Sequence, residues 1–317
     1  MNSHVIALVL GRIGIAVITI IIVSFIVFAA TEMLPGDIAQ ILLGQAATEE
    51  AVAGLRGAMN LNDPAILRFL RWMGGLLQGD LGLSYANNMP VADLIGGRLV
   101  NTLKLAAVTA MFSVPVALFL GITTAMYRGS VYDRAVNTMV VGVISVPEFM
   151  IATIAVLIFA VWLRWLPALS FASDVSTLLG LLKSYAMPVI TLAFVISAQM
   201  IRMTRAAVIE TLKMPYVEMA LLKGASRRRM VLRYALPNAI GPIVNAVALS
   251  LSYLLGGVII VETVFNYPGI AKLMVDAVST RDLPLIQTCA MIFCLGYLLL
   301  ITVADVIAIL SNPRLRK

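Results

Sequence analysis

The side chains that could do chemistry are few, and most of them stand inside long apolar runs. Glu148 follows Pro147 in a stretch with no other charge, and Asn137, Gln199 and Asn245 have similar neighbours. Polar groups are expensive in hydrocarbon, so such residues face a water-filled path or one another. Counted at 1.5 Å per residue along one helix, Glu148 falls roughly 20 Å from the inner end of its run, in the outer half of a bilayer. There a carboxylate could meet an ammonium group on a passing solute, or serve a structural hydrogen bond. Asn137, Gln199 and Asn245 suit a path lining or bonds between helices. Asp305, near the inner end of the last run, is expected to pair with the basic tail.

Other chemistries lack their parts. The single histidine, His4, precedes the first run, and one imidazole makes no metal site. Cys289 and Cys294 are five apart and so off a common helical face, which reads as free thiols. A hydrolase would need a serine with histidine, paired acids or a metal cluster, and a channel would need a filter-like segment. No Gly-x-x-x-x-Gly-Lys-Ser/Thr phosphate loop occurs, so no cofactor is expected in this chain, and ATP with its Mg has to be bound by another subunit.

The elements that position these residues follow from composition. Of 317 residues 61% are hydrophobic and 12% charged, and the mean hydropathy is +0.99; a soluble domain is about half apolar and a quarter charged. A bilayer core of about 30 Å takes roughly 20 apolar residues, and six uncharged runs of that order appear, at 13–30, 105–126, 135–163, 185–201, 238–261 and 288–310. They are apolar on every face, which predicts helices and not the alternating strands of a barrel. The expected fold class is an all-α membrane protein with six transmembrane helices. Small residues Ala29 and Ala30 could mark a cleavage site, but the first run exceeds the 7–15 residues usual for a signal peptide, so retention is expected.

Charge sets the expected orientation. Arg12, Arg128, Arg134, the eight basic residues from Arg202 to Arg233, and Arg314, Arg316 and Lys317 make 14 of the 23 lysines and arginines, all on one side of a six-span layout. The positive-inside rule puts that side, and both termini, in the cytoplasm. The opposite loops dilute their basic residues with acids such as Asp37, Glu49, Asp63, Asp174 and Asp276. The net charge of +7 is thus a topology signal, and nucleic-acid binding is the weaker explanation.

Two connections are more than turns. The outward segment 33–97 is long enough to be functional; within it Pro64 opens an apolar stretch with Arg68 and Arg71 three apart, a helix lying at the interface or packed on the bundle, with Trp72 suited to headgroup level. The inward loop 202–237 contains a short amphipathic helix. Pro215 can be its first residue, Val217, Ala220 and Leu221 fall at i, i+3 and i+4, and Gly224 can close it in a left-handed cap. Small Ala220 permits close approach to a partner groove and Tyr216 supplies an anchor. Arg227, Arg228 and Arg229 can hold anionic lipid as well.

Glu218, Met219, Ala220, Gly224, Leu236 and Pro237 stand at the spacing of the cytoplasmic EAA signature of ABC-importer permeases, with Met219 and Tyr234 as departures. Beyond that loop, the chain resembles the first permease of the dipeptide, oligopeptide and nickel branch almost end to end. The matching residues are Leu34, Pro35, Gly36 and Asp37; Leu61 to Pro64; Gly79 to Gly82 with Ser84; Arg98 with Asn101 and Thr102; and Arg128 to Ser130 with Asp133. Further along come Ser145, Pro147 and Phe149; Val261 to Phe265; Pro268 and Gly269; Arg281, Asp282 and Pro284; Asp305; and Pro313 with Arg314. The resemblance implies a single type I permease domain in a bacterial inner membrane, paired with a homologous permease, two ATP-binding subunits and an external solute-binding protein. It implies that the helix carrying Pro215, Tyr216, Glu218, Ala220 and Gly224, with Arg227 beyond it, seats in an ATPase cleft. The matched motifs serve coupling and docking, which leaves peptides, nickel chelates, glutathione, opines and sugars open as cargo.

Overall fold

The computed structural model describes residues 3–33, 36–44, 47–170 and 178–311. Leu34 and Pro35 of the first matched motif, Asp174, and the tail with Pro313, Arg314, Arg316 and Lys317 lie outside the described residues.

Thirteen helices follow in chain order among the described residues: α1 (Ser3–Glu32), α2 (Ile38–Leu43), α3 (Glu49–Ala58), α4 (Ala65–Gln78), α5 (Val91–Met126), α6 (Val131–Ser145), α7 (Glu148–Ala155), α8 (Leu178–Leu212), α9 (Pro215–Leu222), α10 (Arg227–Arg229), α11 (Leu236–Val264), α12 (Ile270–Thr280) and α13 (Leu283–Ser311). Two π-helical stretches, Val156–Trp162 and Met230–Ala235, continue α7 and lead into α11. A lone antiparallel bridge joins Leu83 to Pro90.

Among the described residues, five helical stretches are long and apolar enough to cross a membrane, Ala7–Glu32, Val91–Met126, Leu182–Leu212, Arg227–Val264 and Leu283–Ile309. The pair α6 and α7 meets the same test jointly and would make a sixth. Their wide exposure of apolar side chains, such as Ile15, Ile18 and Ile22 on α1, suits lipid as solvent.

The expected straight run 135–163 is corrected. Its two helices meet at 101°, because proline drives the residue before it out of the helical region and Val146 is extended at φ −96°, ψ 128°. The depth assigned to Glu148, which assumed one continuous rod, does not hold. Helices also overrun the apolar windows. α8 continues to Leu212 and helical structure resumes at Arg227, so the loop expected over 202–237 shrinks to a short segment around α9. Charged residues end an apolar window without ending a helix, since lysine, arginine and glutamate are good helix formers.

The chain divides into two compact units. One comprises Met1–Ala16, Leu103–Tyr267 and Gly296–Lys317. Its helices α8 and α11 pack closely, and at Gly121 of α5 a Cβ would sit 2.8 Å from the Thr204 side chain on α8. Ala125, Met126, Val208, Val231, Ala239 and Ile243 form a buried core cluster there.

The other unit comprises Val17–Thr102 and Pro268–Leu295. Its core joins Val91 and Ile95 of α5 to Ile270 and Leu273 of α12 and to Leu285, Ile286 and Cys289 of α13. Matched motifs stitch it together. Asp282 accepts from the Ser84 hydroxyl and from the Tyr85 amide at 3.0 Å; Asn101 donates to the Pro268 carbonyl at 3.0 Å, and the Ile270 amide donates to Thr102 Oγ1 at 2.9 Å. Here α4 carries Phe69 and Trp72 against Phe25 and Phe28 of α1. The Trp72 indole nitrogen is buried without a hydrogen-bond partner, so Trp72 belongs to that cluster, while Ile66, Leu67, Leu70 and Leu77 of α4 stay exposed.

Candidate coupling site

The residues around α9 fold locally for identifiable reasons. Pro215 forces Met214 into the extended region, φ −70° and ψ 142°, and then occupies the first helical position, where a missing N–H costs nothing. Glu218 lies in the first turn, favourably placed against the helix dipole. At the other end Gly224 adopts φ +79°, the Ala225 amide donates to the Ala220 carbonyl at 3.1 Å and the Gly224 amide to Leu221 at 2.9 Å. That pairing is a Schellman cap. Nothing lies within 4 Å of a would-be Gly224 Cβ, so glycine is required there by backbone conformation and not by space.

Only two residues of α9 are buried, Val217 and Ala220, and they face the π-helical stretch Met230–Ala235 and the end of α8. The expected third inward residue, Leu221, is 55% exposed. The amphipathic stripe is therefore corrected to a narrow seam on a helix that is apolar almost all round. Tyr216, Met219 and Leu222 point away from the chain, Leu222 at 75% exposure. A helix apolar on every face is a buried helix somewhere, and this one leaves most of its circumference uncovered. Beside it lies a cavity of about 280 Å³ bounded by Met126, Arg128, Lys213, Glu218, Leu221 and Arg227.

Arg227, Arg228 and Arg229 open the next helix, with Ser226 as its cap. Three cations at a helix N-terminus oppose the dipole, so they do not serve helix stability.

A buried charged network stands behind this surface. Asp133, at 5% side-chain exposure, pairs with Arg205 of α8, accepting from its Nε at 2.8 Å and Nη2 at 2.9 Å. The Gly129 amide and the Asn137 amide nitrogen also donate to the Asp133 carboxylate. The two-pronged guanidinium–carboxylate geometry ties the start of α6 to α8 a few turns before α9. The sequence offered half of this in the Ser130 cap and the i, i+4 spacing of Asp133 and Asn137; Arg205 lies 72 residues away and no local pattern points to it.

The other intramembrane candidates are placed separately. Glu148 begins α7 with its carboxylate against Gly257 of α11, and its Oε1 is buried with no hydrogen-bond partner. Gln199 bonds along its own helix, accepting from Arg202 Nη2 at 3.0 Å. Asn245 is exposed on α11. Asn137 belongs to the Asp133 network, and no hydrogen bond joins any two of the four among the described residues. Asp305 pairs with Arg12 at 3.2 Å; the basic tail expected as its partner lies outside the described residues. Glu262, fully buried in α11, falls just past the apolar run 238–261 and entered the sequence reading only within the match Val261 to Phe265. Cys289 and Cys294 are free thiols.

Comparison with known proteins adds a family match. Residues 117–317 match the profile described as "Binding-protein-dependent transport system inner membrane component", and residues 5–106 match the corresponding N-terminal profile. The "Probable peptide ABC transporter permease protein y4tP" of Sinorhizobium fredii is 35% identical over 308 residues, 97% of this chain and 98% of that protein. The "Glutathione transport system permease protein GsiC" of Escherichia coli O6:H1 is 36% identical over 316 residues, 100% of this chain and 99% of that protein, and the protein of the same name from Shigella flexneri matches equally.

Proposed function

We infer that this chain, which belongs to the family of binding-protein-dependent transport system inner membrane components, lines one half of the path of an ATP-driven importer for small peptides and takes its energy through α9. It is the permease subunit of a binding-protein-dependent importer. Peptide cargo is favoured by the names of its relatives, one a peptide permease and one a permease for glutathione, itself a tripeptide.

The remaining subunits of the proposed assembly are a homologous permease, two ATPases and an external binding protein. Both termini and α9 face the cytoplasm, where the basic loops concentrate. One observation carries the coupling reading: an eight-residue helix, firmly started by Pro215 and stopped by Gly224, exposes Tyr216, Met219 and Leu222. Seated in an ATPase cleft, it is covered. Because α9 is separated by two residues from α8, and by four from the helical stretch that begins at Arg227 and runs on into α11, nucleotide-driven closure of the ATPases moves those helices with it, a two-state change biased by ATP. Glu148, Gln199 and Asn245 stand on helices α7, α8 and α11 that such a movement rearranges, and Glu148 is the group suited to a cargo ammonium.

The test is a doubly substituted α9, Met219→Asp with Leu222→Asp, in a tagged chain. The expected result is normal membrane insertion with loss of the co-purifying ATPases and of cargo-stimulated ATP hydrolysis. Undiminished co-purification and stimulation would contradict the assignment.

A further inference from the structure

Far in sequence from α9, a second cavity of about 320 Å³ is bordered by Glu32, Gly36, Asp37, Arg56, Arg68 and Arg281. Two of its three guanidiniums are already paired, Arg56 with Asp37 at 2.9 Å and Arg68 with Glu32. Arg281 has no ion-pair partner among the described residues. Its Nη1 is buried without a hydrogen-bond partner, as are Arg68 Nε and, on the acceptor side, Asp37 Oδ2. A buried guanidinium nitrogen left unpaired costs free energy until an acceptor arrives.

The free group is held in place. Arg281 adopts φ 55° at the end of α12, and Asp282 beside it is anchored by Ser84 and Tyr85. Gly36 lets the guanidinium approach the backbone, since a Cβ there would stand 2.9 Å from Arg281 Nη1. Three cations against two anions leave a single positive charge, which one monovalent anion neutralises. The flat two-oxygen edge of a carboxylate matches a guanidinium.

We propose that this cavity is a carboxylate-binding pocket, centred on Arg281, that receives an aspartate or glutamate side chain of the external binding protein when it docks. The proposal rests on the importer reading above, which puts this cavity on the outer side. The carboxylate is drawn from the docking protein because the cavity is bounded by the outward segment and not by the helices assigned to the path.

The test uses the complete importer in nanodiscs, with ATP hydrolysis followed as cognate binding protein is titrated at several NaCl concentrations. For the unaltered complex the half-saturating concentration rises steeply with salt, as for any close charge pair at a docking surface. Arg281→Gln raises that concentration about tenfold at low salt, flattens its salt dependence and leaves the saturated rate in place; Arg281→Lys, which keeps the charge without the fork, falls between. A salt dependence identical to the unaltered complex overturns the proposal, because a general loss of folding lowers the rate without removing the salt response. It is equally overturned if the Arg281→Gln effect appears only in discs containing anionic lipid, which makes a headgroup the occupant, or only for peptides with a free rather than amidated carboxyl terminus, which makes cargo the occupant. No stimulation at any concentration in the unaltered complex contradicts the importer reading itself, and this proposal with it.

Discussion

Three side-chain environments carry distinct energetic consequences. The Glu148 carboxylate occupies the space that a methyl group on Gly257 would need, so Gly257→Ala is expected to destabilise the folded chain by about 1–3 kcal/mol through overpacking. The double variant with Glu148→Ala should recover most of the loss, read as thermal midpoints of the detergent-purified chain in a double-mutant cycle. Additive losses would show that the two residues do not touch. For Asp133 and Arg205 the expectation differs, since removing one partner leaves a buried charge alone. Asp133→Ala should cost about 1–3 kcal/mol, less than for a fully buried pair because the Arg205 side chain it strands is 23% exposed, and the further change Arg205→Ala should restore part of it by removing the stranded guanidinium. Gly224 poses a conformational question. Alanine there incurs about 1–2 kcal/mol for the left-handed backbone, whereas asparagine tolerates that region. Stimulated ATP hydrolysis should therefore rank glycine, then asparagine, then alanine, and equal rates for the last two would argue against the cap.

At the scale of elements, much was legible in the residues. Pro215 and Gly224 fixed both ends of α9 closely, because proline and glycine act through backbone sterics that no tertiary contact reverses. The start of α4 after Pro64 followed from the same rule. Three elements were hidden for different reasons. The break at Val146 and Pro147 lay inside an apolar run read as one straight helix, while the structure turns the chain by 101°. The overruns of α8 and α11 lay beneath charged residues that mark the edge of an apolar window and say little about helix ends. The outward face of α9 stayed hidden because apolar spacing alone does not tell which neighbours exist. That face leads to a sharp expectation: Glu218→Lys, which adds a fourth cation to a cavity already edged by Arg128, Lys213 and Arg227, should leave insertion intact and weaken ATPase attachment, measured as the ratio of ATPase to permease after affinity purification. An unchanged ratio would count against contact at this edge.

The molecule as a whole contains no group that binds or hydrolyses nucleotide by recognisable motif, yet its family is one of importer components. In the proposed function work enters by contact, and the two compact units hold different candidate contact surfaces. One presents α9, and the other presents the charged pocket around Arg281. Pairing across long sequence distances is what the residues could not disclose in advance. Asp133 with Arg205, Ser84 with Asp282 and Asn101 with Pro268 join segments whose local patterns are independent, and only the folded chain brings them together. The motif positions nevertheless coincide with several of these stitches, so those short matches mark structural joints as well as docking parts.

The coupling role of α9 is tested most directly by cross-linking in the assembled importer. Leu222→Cys, on a background with Cys289 and Cys294 replaced by serine, should form a cross-link to an ATPase subunit with a short bifunctional maleimide and should resist a membrane-impermeant thiol reagent added from outside. Labelling from outside, or the absence of any ATPase adduct from an intact complex, would contradict the account.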